Sequence, residues 1–121
     1  MIFEESRALF EAELAKADVA RAAGNEGMAR VCARRAAGIA LRAFFIDHGL
    51  PVPSTSAMDI LEQLRSDPGF APEIRAVADH LLQRVDPEYQ LPIQADLLAE
   101  TRWLISALQD GTYPSSALPR T

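Results

Sequence analysis

The 121-residue chain carries 12 basic and 17 acidic residues, a net charge of −5, and 49% of its residues are hydrophobic. These values are typical of a single soluble globular domain, and the acidic balance argues against a general nucleic-acid-binding protein. No apolar run approaches the ~18 residues that a membrane-spanning helix requires. No signal-peptide pattern opens the chain. The sequence therefore predicts a cytoplasmic protein with no membrane segment.

Cysteine and histidine are scarce in this sequence. Cys32 is the only cysteine, so no intrachain disulfide can form, which favours a reducing compartment. Together with His48 and His80, the only two histidines, it cannot supply a usual structural zinc site. We therefore expect no metal and no cofactor. Because Cys32 follows the apolar spacing of a helix, we expect a buried, unreactive thiol.

The first two predicted helices are long. The first spans about residues 3–22, where Phe3, Phe10 and Ala17 recur at seven-residue intervals. The second spans about residues 26–48 and is the most apolar, so we expect it at the centre of the fold. Asn25 is a suitable N-cap for it, and Gly49 ends it.

The remaining helices are shorter. Ser56 is predicted to cap a third helix, and Pro72 to open a fourth. The last is predicted from about residue 93 to residue 109. No strand pattern occurs in the sequence. The predicted fold is all-α, an antiparallel four-helix up-and-down bundle with one additional short helix. Residues 1–111 form the predicted domain, and residues 112–121 form a flexible tail.

Three segments of the chain resemble the HEPN domain family, which is named for nucleotide binding in higher eukaryotes and prokaryotes. The segment ARVCARRAAGIALRAFFIDHGL resembles the alanine- and arginine-rich second helix of that family. The segment TSAMDILEQL is similar to the short helix that follows, and ADHLLQRVDPEYQLP is similar to the next helix and its Arg-Tyr-Pro-type segment. The resemblance covers about residues 3–109.

The resemblance implies a four-helix bundle that is often a homodimer and is often encoded beside a minimal nucleotidyltransferase. Nucleotide or RNA is then an expected ligand. Some branches of the family are metal-independent, toxin-like endoribonucleases that carry an arginine, four to six residues, and then a histidine. Arg75 and His80 have this spacing, and Arg84 is a second arginine near the histidine.

The candidate catalytic residues are thus His80 with Arg75 or Arg84. An imidazole can move a proton to or from an RNA hydroxyl, and a guanidinium can neutralise charge on a phosphate. However, helix geometry separates Arg75 and His80 by about 140° around the axis. An alternative interpretation is that Arg75 pairs with Asp79 on the surface and that His80 is an ordinary polar residue beside the buried stripe.

Arg34, Arg35 and Arg42 are the candidate anion- or nucleotide-binding residues, because the helix between residues 27 and 46 contains arginines and no acid. If these arginines line an open groove, binding of a nucleotide or RNA is favoured. If they pair with acids of neighbouring helices, a non-catalytic helical adaptor is favoured. Asp96 with Glu100 is a weaker candidate site, since no Glu-x-x-His motif accompanies the pair. Trp103 is a candidate contact residue.

Overall fold

A computed structural model describes residues 1–83 and 95–114 of the chain. Over these residues it contains five α-helices and no strand, as the sequence predicts. They are α1 (Ile2–Ala22), α2 (Glu26–Asp47), α3 (Ala57–Ser66), α4 (Pro72–Leu82) and α5 (Leu97–Asp110). The four helices α1, α2, α4 and α5 run alternately up and down, and α3 is the additional short helix. No described helix is long and apolar enough to cross a membrane.

The α1–α2 pair is an antiparallel hairpin with specific contacts at both ends. At the turn, Gly24 has a φ of +78° and Asn25 caps α2 by accepting from the Met28 N–H. At the open end, Asp47 accepts from the Ile2 and Phe3 N–H groups at 2.8 and 2.9 Å. The carboxylate of α2 thereby caps α1. These two backbone hydrogen bonds hold the pKa of Asp47 below its usual value.

The core lies between α2 and the other helices, and its side chains match the predicted apolar stripes. Phe10, Leu41 and Ile74 are fully buried, and Cys32 is 2% exposed. The small residues of α2 allow close packing. Seven alanines and glycines are buried, and they are distributed along about two-thirds of the helix. Those seven are Ala29, Ala33, Ala36, Ala37, Gly38, Ala40 and Ala43.

The start of α3 packs directly against α2. A side chain on Gly38 would bring its Cβ to 2.7 Å from the Ala57 Cβ, so glycine permits this approach. Ser56 caps α3 by accepting from the Asp59 N–H, as the sequence predicts. Arg102 pairs with Asp18 between α5 and α1 at 2.6 Å.

Two predicted boundaries differ from the structure. Helix α5 begins at Leu97 rather than near residue 93, because Asp96 takes the N-cap position and accepts from the Ala99 N–H. The packed region also continues beyond residue 111. Tyr113 packs edge-on against Phe44 at 4.8 Å, and its carbonyl accepts from the Ala71 N–H. Residues 115–121 of the predicted tail lie outside the described residues.

Candidate functional site

His80 and Glu100 form a hydrogen-bonded pair between α4 and α5. The His80 Nδ1–H donates to Glu100 Oε1 at 2.6 Å. The two side chains keep 34% and 25% of their surface exposed, so the pair lies at the edge of the helix interface. A carboxylate on one imidazole nitrogen fixes the orientation of the ring and leaves the other nitrogen for proton exchange. The pair is therefore chemically suited to acid–base work.

Arg75 does not join this pair. Its Nε donates to the carbonyl oxygen of Arg65 at 3.1 Å, which holds the C-terminal end of α3. The predicted ion pair between Arg75 and Asp79 is wrong, because Asp79 binds Arg65 at 3.1 Å instead. Arg75 thus faces α3 while His80 faces α5. This separation follows from the angle between the two positions on the helix.

Arg84 lies outside the described residues, as do Val85 and Tyr89. The pairing of His80 with Arg84 stays a prediction.

Arg34 is used inside the fold. Its Nε donates to the Leu81 carbonyl at 2.7 Å and its Nη2 to the Gln83 carbonyl at 2.9 Å. These carbonyls lie at the C-terminal end of α4. The last carbonyl groups of a helix have no N–H partner within the helix, and the helix dipole favours a positive charge at this end. Burial, together with the nearby Arg30 charge, lowers the pKa of Arg34. This arginine joins α2 to α4 and leaves the other two candidate arginines for a ligand.

Arg35 and Arg42 line one cavity, here called the polar pocket. The pocket has a volume of about 280 Å³ between α1, α2 and the start of α3. Neither arginine forms an ion pair with any residue that the structure describes. The lining residues are Glu13, Arg35, Gly38, Ile39, Arg42, Thr55 and Ala57. Two unpaired cations in one cavity can hold an anion.

Glu13 contributes the acidic group of the polar pocket. Its Oε1 pairs with Lys16 at 3.3 Å, and its Oε2 is buried without a hydrogen-bond partner among the described residues. A buried acceptor of this kind is costly unless a donor reaches it. Glu13 lines the same cavity as the two arginines because of the α1–α2 register, which local spacing does not reveal.

A second cavity, here called the apolar groove, lies between the C-terminal half of α1 and the N-terminal half of α2. It measures about 530 Å³ and is lined mainly by apolar side chains, with Lys16, Asn25 and Arg35 at its rim. Its apolar residues are Ala15, Val19, Ala20, Ala23, Met28 and Cys32. Val19, one of the lining residues, is 69% exposed.

His48 lies far from His80, at the C-terminal end of α2. Its ring stacks on Phe44 with centroids 3.9 Å apart, and its Nδ1 bonds the Phe44 carbonyl at 2.9 Å. This geometry packs the imidazole and gives it no catalytic partner among the described residues. Trp103 is 47% exposed on α5. No group of metal-ligating side chains occurs in residues 1–83 and 95–114.

The chain matches no known protein-family model, no curated protein and no solved structure. The class of protein defined by the fold is an all-α helical bundle. Function therefore has to be argued from the sites on this bundle.

Proposed function

We propose that this chain is a HEPN-like helical-bundle protein that acts through self-association, using the outer face of α1 and the apolar groove. The observation that carries the proposal is the exposed apolar surface formed by these two features. The same surface is the one that a nucleotidyltransferase-type partner would use if the chain does not pair with itself.

The outer face of α1 consists of residues spaced three or four apart, so they share one side of the helix. They are Ala8, Ala12, Ala15 and Val19, and all four are exposed. Leu9 lies beside them and is 62% exposed. Small side chains let two helices approach closely, and contiguous exposed apolar surface on a soluble protein marks an interaction site.

Charge complementarity favours a second copy as the occupant of this surface. Exposed Glu5 and Glu11 lie in the N-terminal half of α1. Lys16 and Arg35 border the apolar groove near the opposite end. A two-fold axis through Ala12 places the acidic end of one copy against the basic end of the other. Glu5 and Arg35 have no ion-pair partner among the described residues, so both are free to pair across the interface.

Shape supports the same arrangement. About an axis through Ala12, Leu9 of one copy lies opposite Ala15 of the other, at the edge of the apolar groove. A leucine entering this groove would bury apolar surface on both copies, at ~25 cal/mol per Å² removed from water. The pairing therefore covers the surface that the single chain leaves exposed.

Sedimentation equilibrium tests this proposal. The wild-type chain is expected to have twice its monomer mass, and Val19→Glu to be monomeric, because the substitution places a charge in the apolar groove and, about an axis through Ala12, opposite Glu5 of the other copy. Met58→Glu is the matched control, since Met58 is 39% exposed on α3, away from this surface. A monomeric wild-type chain, or equal dissociation by both variants, would contradict self-association through this face.

A second candidate function is metal-independent cleavage of RNA. The observation that favours it is the hydrogen bond between His80 and Glu100, which orients an accessible imidazole. For this function we propose Arg84 as the arginine rather than Arg75, because the Arg75 guanidinium is held by α3.

A further inference from the structure

The outer face of α5 carries an exposed tryptophan. Trp103 is 47% exposed, whereas every described phenylalanine and tyrosine is buried or half-buried. Its indole forms no hydrogen bond and no ring contact with the residues that the structure describes. Tryptophan is enriched among the residues that contribute most to binding at protein interfaces. Trp103 therefore offers exposed ring surface and an N–H donor to a partner.

The neighbours of Trp103 along the outer face of α5 are acidic or small. Asp96, Trp103 and Asp110 recur at seven-residue intervals, so they form one line with about 10 Å between successive positions. Ala99 and Ser106 lie between them, and both are exposed. Their small side chains leave the indole accessible from both directions along the helix. These five residues are here called the Trp103 stripe.

The Trp103 stripe is negatively charged. Asp110 accepts from the Ser106 hydroxyl and forms no ion pair with any residue that the structure describes. Asp96 shares Arg21 with Glu26, so these three side chains together keep one negative charge. Electrostatic complementarity therefore favours a positively charged partner on this surface.

Charge argues against a second copy of the chain as the occupant. A two-fold axis through Trp103 places Asp96 of one copy opposite Asp110 of the other, and like charges that face each other oppose association. The stripe is also separate from the outer face of α1. Arg102, on the neighbouring edge of α5, is the residue that reaches Asp18 of α1. This surface is therefore independent of the proposed self-association.

We propose that the Trp103 stripe binds an arginine-bearing segment of a partner protein. A guanidinium is planar and stacks on an indole, whose ring quadrupole attracts the positive charge. A guanidinium also binds a carboxylate through two parallel hydrogen bonds, so a second arginine of the same segment pairs with Asp110. The ammonium group of lysine is compact and strongly hydrated, and it lacks the planar shape that both contacts use.

Fluorescence titration with hexa-arginine, hexalysine and hexaglutamate peptides tests the proposal, because Trp103 is the only tryptophan of the chain. The salt concentration is about 0.15 M, which screens attraction beyond roughly 8 Å. We expect hexa-arginine to change the Trp103 emission in a saturable way and hexaglutamate to leave it unchanged. Hexalysine is expected to bind about 3-fold more weakly or less tightly still, because it loses the stacking contact.

Trp103→Leu separates the ring from the charge of the surface. The variant keeps every carboxylate, and it is expected to weaken binding of dye-labelled hexa-arginine by about 3-fold or more, as measured by fluorescence anisotropy. An affinity of Trp103→Leu equal to that of the wild type would overturn the proposal. So would equal binding of hexalysine and hexa-arginine, or no change of emission at millimolar hexa-arginine.

Two carboxylate variants locate the bound peptide. Asp110→Asn is expected to weaken binding of hexa-arginine by about 3-fold or more, through the loss of a charge-assisted pair. Asp59→Asn on α3 is the matched control, since Asp59 is also an exposed helix residue that accepts from a serine hydroxyl, that of Ser54. Its affinity is expected to be unchanged. Equal losses in the two variants would show that the peptide is attracted only by the net charge of the chain, and would overturn the proposal.

Discussion

The imidazole of His80 and the carboxylate of Glu100 lie 2.6 Å apart and join α4 to α5. The two residues are 20 positions apart in the chain. Neither one stands out by itself, because histidine and glutamate are both common on exposed helix edges. Their contact fixes the orientation of the His80 ring and leaves Nε2 without a partner among the residues that the structure describes. The contact also joins α4 to α5. A catalytic role and a packing role for this pair therefore predict different behaviour of His80 and Glu100 variants.

The first prediction concerns RNA cleavage without metal. If the candidate ribonuclease function holds, purified wild-type chain cleaves mixed single-stranded RNA in EDTA, and His80→Ala abolishes cleavage. Glu100→Gln keeps the side-chain size but removes the charge that orients the imidazole, so we expect a loss of about 10²-fold or more, the usual contribution of general acid–base catalysis. The measurement is the rate of RNA loss on denaturing gels.

His48→Ala is the matched control, since His48 packs on Phe44 at the far end of α2. Cleavage that survives in His80→Ala, or disappears in His48→Ala, would place the activity elsewhere. If the wild type cleaves no RNA, His80 with Glu100 is a packing contact.

The second prediction concerns Arg34. Arg34→Met keeps the length of the side chain but leaves the Leu81 and Gln83 carbonyls without their donor. We expect a loss of ~1–3 kcal/mol of stability for the unsatisfied acceptors, measured by urea denaturation. Arg30→Met on the same helix is the control, because Arg30 forms no hydrogen bond with the described residues, and its effect is expected within ~0.5 kcal/mol. Equal destabilisation by the two variants would show that the hydrogen bonds of Arg34 to the end of α4 contribute no stability.

The third prediction uses the two glycines of α2. Gly38→Ala places a methyl group 2.7 Å from the Ala57 Cβ, so α3 must shift, and we expect a loss of ~1–3 kcal/mol. Gly27→Ala meets no atom closer than 3.9 Å and is expected to stabilise the helix by ~0.5–1 kcal/mol. Thermal denaturation of both variants measures the contrast. A neutral Gly38→Ala variant would mean that α3 can move away from α2 without cost.

The fourth prediction concerns acid stability. The pKa of Asp96 is lowered below its ordinary value of 3.8, first by the Arg21 hydrogen bond and then by the Ala99 N–H. The pKa of Asp18 is lowered by Arg102. Because the folded-state pKa of each carboxylate lies below its unfolded value, their stabilisation is complete above pH ~4 and is lost as pH falls further.

Asp96→Asn tests this pH dependence and keeps a side-chain acceptor for the N-cap. We expect the variant to lose less stability than the wild type between neutral and acidic pH, as measured by urea denaturation at each pH. The same comparison in 1 M salt is expected to show a smaller difference, because salt screens exposed ion pairs. An unchanged pH slope in Asp96→Asn would assign the acid sensitivity to other carboxylates.

Local signals in the sequence placed most helix ends. Asn25, Ser56 and Pro72 marked three starts, because capping and proline chemistry involve only neighbouring residues. The start of α5 was predicted too early in the chain. Apolar residues before Asp96 continue a helical pattern, but the side chain of Asp96 caps the backbone and fixes the start at Leu97.

The sequence by itself determined the all-α bundle, the buried stripes and the separation of Arg75 from His80, because helical periodicity decides which residues share a face. The tertiary structure decided which faces meet. It joined His80 to Glu100, placed Arg34 on the end of α4, and bonded Asp79 to Arg65 of α3. These contacts depend on the register and rotation between helices. Both are set by the packing of the whole core, and no local spacing in the chain encodes them.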